Sequence, residues 1–166
     1  PPAGSQFYET DTGLVYVEDG TVWQLGPEGA PLRLARRRYS FAVDGGAVGA
    51  LTMFTLTGNV MAQVFAICNT APTSGGAATI EFGASGNTAI LLPQLAIASL
   101  IADEIWHDAT PTTTIEAVDV DGLRTFIIAN GQDAIFTIGA FALTAGIIDF
   151  YALWRPLSST GLVVPA

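Results

Sequence analysis

The chain has 166 residues, of which half are apolar and only 13% are charged, and its net charge at pH 7 is −9. That length suits one ordinary domain with its own core. Soluble domains are typically about a quarter charged. Either the surface is therefore unusually rich in Thr, Asn, Gly and Ala, or other subunits cover much of it, and the second explanation is favoured. The acidity argues against a nucleic-acid partner. The sequence also predicts no membrane span, because no window approaches the roughly 20 apolar residues that one needs.

Residues 1–38 are predicted to form an N-terminal arm. Within it, residues 14–17 and 21–25 favour β-strands and flank Asp19-Gly20, a strong signal for a hairpin turn. A lone hairpin is marginally stable in water, so we expect the arm to dock on a partner. The predicted attachment interface consists of its aromatic residues and three arginines, namely Phe7, Tyr8, Tyr16, Trp23, Arg36, Arg37 and Arg38. Two alternatives stay open: solvated arginines at a domain boundary, and aromatic residues that form a sugar-binding platform.

Residues 39–166 are predicted to form a β domain of short strands separated by glycine-rich turns. Residues 51–57 alternate threonine with larger apolar residues, as a half-buried strand does. Further strands are predicted at 60–68, 77–82, 88–92, 123–129, 134–138 and 147–154, with a turn at 69–76. Segment 95–106 fits a helix as well as a strand, and a strand followed by a loop is favoured. This pattern predicts an all-β fold, an antiparallel jelly-roll-like β-sandwich of about eight strands.

The sequence offers no constellation for catalysis, so we expect no enzyme activity, no cofactor and no metal site. The single histidine, His107, precedes Asp108, but neighbouring residues on a strand point to opposite faces. The paired carboxylates Asp103 and Glu104 fit solvated turn residues. The single cysteine, Cys68, follows an apolar run and is predicted to be a buried thiol.

From residue 104 onward the sequence resembles a group of tailed-bacteriophage virion proteins. The stretches that carry this likeness are EIWHDATP at 104–111, IIANGQD at 127–133, LTAGIIDFY at 143–151 and WRPLS at 154–158. In the arm, ETDTGLVY at 9–16 and DGTVW at 19–23 resemble a short module near the start of phage fibre and decoration proteins.

The resemblance implies a capsid-decoration or head-fibre-like protein on the outer surface of the virion, as a homotrimer of jelly-roll subunits. It also implies that the arm attaches to the major capsid protein or another virion protein. We predict the subunit interface at the last strand and the tail, represented by Phe150, Trp154, Leu162 and Val163. The alternative function is a carbohydrate- or host-receptor-binding module of a tail fibre, with a host-surface glycan as its partner.

Overall fold

The computed structural model describes residues 2–3, 5–10, 14–18, 21, 23–25, 32–108, 117–119 and 122–166. These residues form thirteen strands, β1 to β13, over Gln6–Glu9, Leu14–Glu18, Trp23–Leu25, Arg33–Ser40, Gly49–Thr57, Val60–Ser74, Thr79–Ala84, Asn87–Ala96, Ile105–Trp106, Thr125–Ile128, Ala134–Gly139, Leu143–Pro156 and Leu162–Pro165. One short α-helix, α1, spans Phe41–Asp44, and a turn of 3-10 helix spans Ile97–Ser99. No helix in the described ranges is long and apolar enough to cross a bilayer.

Two antiparallel sheets of five strands each pack face to face as a β-sandwich. The first sheet has the order β4-β12-β6-β10, and β9 also pairs with β6. The second has the order β13-β5-β11-β7-β8. With β9 and β13 set aside, the sandwich strands numbered along the chain read 1-8-3-6 and 2-7-4-5, which is the strand order of a jelly roll. The predicted jelly-roll-like β-sandwich is confirmed.

Period-two alternation explains which side chains fill the core. On β6, Val64 and Cys68 point inward and are buried, whereas Phe65 between them points outward and is half-buried. Aromatic rings occupy the centre of the sandwich, where the Phe150 ring centroid lies 5.2 Å from that of Phe82 and 5.1 Å from that of Phe136. Phenylalanine supplies a large apolar area per side chain, so this cluster is a main source of burial energy.

The arm contains the predicted hairpin and one additional strand. β2 pairs with β3, and β1 pairs with the other edge of β2, giving the antiparallel order β1-β2-β3. The backbone N–H of Glu18 also donates to the carbonyl of Ser5 at 2.9 Å. The short run 6–9 lies too near the start of the hairpin to have been read as a separate strand.

Two boundaries differ from the sequence-based prediction, and one ambiguous segment agrees with the favoured alternative. β4 begins at Arg33 and pairs with β12 from Ser40↔Ile147 to Arg33↔Trp154, so the sandwich begins before residue 39. Residues 69–74 continue β6, where a turn was predicted, because β12 is long enough to pair with them. Segment 95–106 completes β8, makes the 3-10 turn and ends in β9, in agreement with the favoured strand and loop.

Candidate interaction surface

The first sheet has a face that points away from the second sheet, here called the outer face. Alternation assigns its residues: on β12, Asp149, Tyr151 and Leu153 point outward while Phe150 and Ala152 are in the core. The register then places partners from neighbouring strands in rows across the sheet. The members of the outer face are Leu34, Arg36, Arg38, Met61, Gln63, Phe65, Ile67, Thr125, Ile127, Asp149, Tyr151, Leu153 and Arg155.

Asp149 is a buried carboxylate on the outer face. Arg36 Nη2 donates to Asp149 Oδ2 at 2.7 Å, Arg38 Nε donates to Oδ1 at 3.0 Å, and Asn69 Nδ2 donates to Oδ2 at 2.9 Å. Burial by itself raises the pKa of Asp149, but these three donors outweigh it and hold the pKa below its ordinary value. The hydrogen bond to Asp149 in turn raises the pKa of Arg36. The outer face therefore carries two guanidinium groups around one fixed carboxylate.

Two aromatic rings lie next to this charged group. Phe65 and Tyr151 are paired across β6 and β12, and their rings stack with centroids 5.0 Å apart and planes 8° apart. The Arg36 guanidinium carbon lies 5.8 Å from the Tyr151 ring centroid, within the range of a cation–π contact. Each ring covers one face of the other, and both side chains are half-buried.

A groove of about 290 Å³ crosses the outer face where β12, β6 and β10 run side by side. Its lining consists of Leu32, Met61, Ala62, Gln63, Thr125, Leu153 and Arg155. Large aliphatic side chains surround it: Leu34 is 60% exposed, Ile127 is 74% exposed, and Leu32 is also exposed. Scattered exposed aliphatic residues are normal, whereas several on one sheet face form a candidate contact surface.

Among the predicted attachment residues of the arm whose side chains are described, Phe7 and Tyr8 are exposed and Tyr16 is half-buried. Phe7 and Tyr8 on β1 are both exposed, and the ring centroid of Phe7 lies 6.4 Å from that of Tyr16 directly across on β2. Because neighbouring residues alternate, Phe7 and Tyr8 point to opposite faces of this small sheet. The backbone of Trp23 is in β3, and its side chain lies outside the described residues.

The three consecutive arginines are in the sandwich, which corrects their assignment to an N-terminal arm. Arg36 and Arg38 point outward and form ion pairs with Asp149. Arg37 is on the opposite side of β4, across from Phe150 of β12. Nothing in the local sequence indicates this division, because a run of arginines hides the alternation of the strand that contains it.

The predicted subunit interface is wrong for three of its four residues. Phe150, Trp154 and Val163 are buried in the core, with side chains that have almost no surface to offer a partner. Leu162, on the edge strand β13, is exposed and remains available. Apolar character suggested the set, but alternation along β12 turns Phe150 and Trp154 inward and leaves Tyr151 and Leu153 on the outer face.

The ionisable residues of the described ranges form no group of three or more His, Cys, Asp or Glu that could hold a metal ion. His107 Nδ1 lies 4.0 Å from Asp108 Oδ2. The two neighbouring carboxylates have opposite environments: Asp103 is exposed, whereas Glu104 is fully buried and its Oε2 accepts a hydrogen bond from the Ile101 N–H at 2.9 Å. Glu104 is thus not the solvated turn residue that the sequence suggested.

Cys68 is a buried thiol, as predicted. Burial, together with the negative charges of Glu104 and Asp103, raises the pKa of Cys68 to about 12. Nucleophilic cysteines need the thiolate form at neutral pH. Cys68 therefore acts as a small apolar residue in the core.

No protein-family model matches the chain, and neither the curated proteins nor the solved structures contain a significant match.

Proposed function

We propose that this chain is a structural protein of a bacteriophage virion, a capsid-decoration or head-fibre subunit that self-associates and performs no catalysis. The observation that carries the proposal is the outer face, where Leu34 and Ile127 are exposed beside an open groove. Burying such side chains against a second copy is favourable by about 25 cal/mol per Å² of apolar surface. A display or cementing role needs only this binding energy.

The arm is the attachment element in this proposal. Its exposed Phe7 and Tyr8 are the kind of aromatic anchors that dominate protein–protein contacts. The partner is the major capsid protein or another virion protein, and the sandwich then faces outward on the particle. The resemblance of the sequence to tailed-phage virion proteins supports this location.

A protein partner fits the outer face better than a glycan does. Sugar-binding sites use exposed ring faces together with polar groups, but here Phe65 and Tyr151 stack on each other. The one carboxylate on this face, Asp149, is covered by two arginines. Exposed aliphatic side chains such as Leu34 and Ile127 contribute energy to protein contacts and offer no hydrogen bonds to hydroxyl groups.

The solution mass of the full chain, measured by light scattering over a range of concentrations, tests self-association. We expect an oligomer, and a trimer in particular. Leu34→Ser combined with Ile127→Ser should weaken it, because both exposed apolar side chains are lost. Val43→Ser is the matched control, since Val43 is 82% exposed on α1 and lies off the outer face. A wild-type monomer at every concentration would contradict the proposal.

Immunogold electron microscopy of intact phage particles tests the location. An antibody against the chain should label the outer surface of particles that contain it. Absence of the chain from the purified particles would refute the virion-surface role. Labelling that requires disruption of the particles would refute it as well.

A further inference from the structure

Opposite charges lie at the two edges of the first sheet. One edge is β4, which pairs only with β12 among the described strands and carries four arginines, here called the arginine edge: Arg33, Arg36, Arg37 and Arg38. At the other side of the sheet, β9 pairs with β6 and is flanked by Asp103 and Asp108. These two acids, with Asp119 of the neighbouring segment, are here called the acidic edge. Val118 lines a small pocket with Ile105 and Phe65, which puts residues 117–119 beside β9.

The two edges are level with each other along the strand direction. Arg38 pairs with Asp149, Asp149 with Ile67, and Ile67 with Ile105, so one straight row joins β4 to β9. Asp103 and Asp108 are two and three residues from Ile105, within about 10 Å along the chain. A copy translated sideways across the sheet would therefore bring its arginine edge to the acidic edge of its neighbour without a shift along the strands.

Among the described residues, Asp149 is the one carboxylate that bonds to the arginine edge, through Arg36 and Arg38. Asp44 follows the strand, where its Oδ2 accepts from the Ser40 N–H. Within the described residues, Arg33 Nη2 and Arg37 Nε are buried and have no hydrogen-bond acceptor. On a chain of net charge −9, this edge is a concentrated positive site.

We infer that the chain assembles head to tail, with the arginine edge of one copy against the acidic edge of the next, in a closed ring. The inference rests on the proposed self-association and names the contact that orients it. A two-fold contact through either edge would bring like charges together, which is unfavourable. A head-to-tail contact pairs opposite charges at every interface, and such contacts close into rings when the rotation permits.

Charged edge strands also protect sheets from uncontrolled strand pairing. That role accounts for charged side chains at each edge, but it does not account for the opposite signs of the two edges. Arginine is suited to the contact proposed here, because its guanidinium pairs with a carboxylate through two parallel hydrogen bonds.

Light scattering of the full chain at two salt concentrations tests the inference. Salt shortens the electrostatic screening length from about 10 Å at 0.1 M to about 3 Å at 1 M, so the oligomer should dissociate more readily at high salt. Asp103→Asn with Asp108→Asn should weaken self-association roughly tenfold at low salt. Asparagine tolerates the positive φ of 65° at position 103. Glu81→Gln is the matched control, because Glu81 lies on β7 in the second sheet.

Cross-linking distinguishes the head-to-tail contact from a two-fold one. Leu34→Cys lies on β4, and Asp108→Cys lies near the same level beside β9. A short bismaleimide should join copies of the double variant into a series of covalent oligomers, the largest of which contains as many subunits as the ring. Each single variant should remain uncross-linked. The native Cys68 does not interfere, because it is buried. Dimers of the Leu34→Cys variant alone would show a two-fold contact and overturn the inference.

The outcomes separate the two proposals. A wild-type monomer at low salt removes self-association and the ring with it. An oligomer that Leu34→Ser with Ile127→Ser weakens, but that neither salt nor the aspartate variants change, keeps the proposed function and overturns the charged contact.

Discussion

Truncating the side chain of Phe150 tests its burial. The sequence predicts Phe150 at a subunit interface, whereas the structure places it in the core. The side chain has no exposed surface and contacts the rings of Phe82 and Phe136 at centroid distances of 5.2 and 5.1 Å. A buried phenylalanine removes about 150–250 Å² from water. At about 25 cal/mol per Å² this contributes roughly 4–6 kcal/mol, and Phe150→Ala should cost about 3–5 kcal/mol once the remaining β-carbon and the cavity are included.

Urea unfolding followed by tryptophan fluorescence gives the test. With a slope of about 2 kcal/mol per M, the midpoint should fall by roughly 2 M. Phe141→Ala is the matched control, because Phe141 is half exposed and should lose about 1 kcal/mol or less. The more conservative Phe150→Leu should leave the oligomer mass unchanged. Equal midpoints for Phe150→Ala and Phe141→Ala, with a change of mass in Phe150→Leu, would refute core burial and restore Phe150 to a subunit interface.

Three further predictions follow from single sites. The folded-state pKa of Asp149 is below its unfolded value of about 3.9. The ionised carboxylate therefore stabilises the fold above that pH, and this contribution is lost on acidification. In Asp149→Asn, the free energy of unfolding should fall less steeply below about pH 4 than it does in the wild type. Cys68 has a pKa of about 12, so a thiol reagent at neutral pH should label it only in denaturant; fast labelling of native protein would contradict its burial. Gly146→Ala should destabilise the fold by about 2–3 kcal/mol, because φ is +117° and a Cβ would lie 2.5 Å from Pro72 Cα. Gly131 has φ +78° but open space around it, so the melting temperature of Gly131→Asn should equal that of the wild type.

The fold class was predictable because the strands alternate clearly. Thr55 between Phe54 and Leu56 on β5, and Thr137 between Phe136 and Ile138 on β11, set apolar side chains on one face and polar ones on the other. A two-residue period of this kind specifies a half-buried strand without reference to the rest of the chain. The jelly-roll order depends instead on long-range pairings such as that of β4 with β12, which no local turn encodes.

The candidate surface was harder to predict than the fold. The sequence predicts Arg36 and Arg38 as attachment residues, and nothing local shows that Asp149, more than a hundred residues later, lies across from them. Leu34 was overlooked because its neighbours are mostly arginines. The sequence places Ile127 in a predicted strand but does not show on which face of the sheet it lies. In the structure Ile128 is buried and Ile127 is exposed. An apolar residue reveals its face only when the pairing of its strand is known.

The low charge content has a different origin on each side of the sandwich. The outward residues of the second sheet include Thr52 and Thr55, whose hydroxyl groups make a polar surface without charge. Its exposed Leu162 and Val164 lie on the edge strand β13. On the first sheet the uncharged positions are aliphatic, as at Leu34 and Ile127, and water contact there has a real cost. Leu34 and Ile127 are more exposed than Leu162 and Val164 on β13 of the second sheet, and for that reason we propose the outer face and its charged edges as the site of self-association.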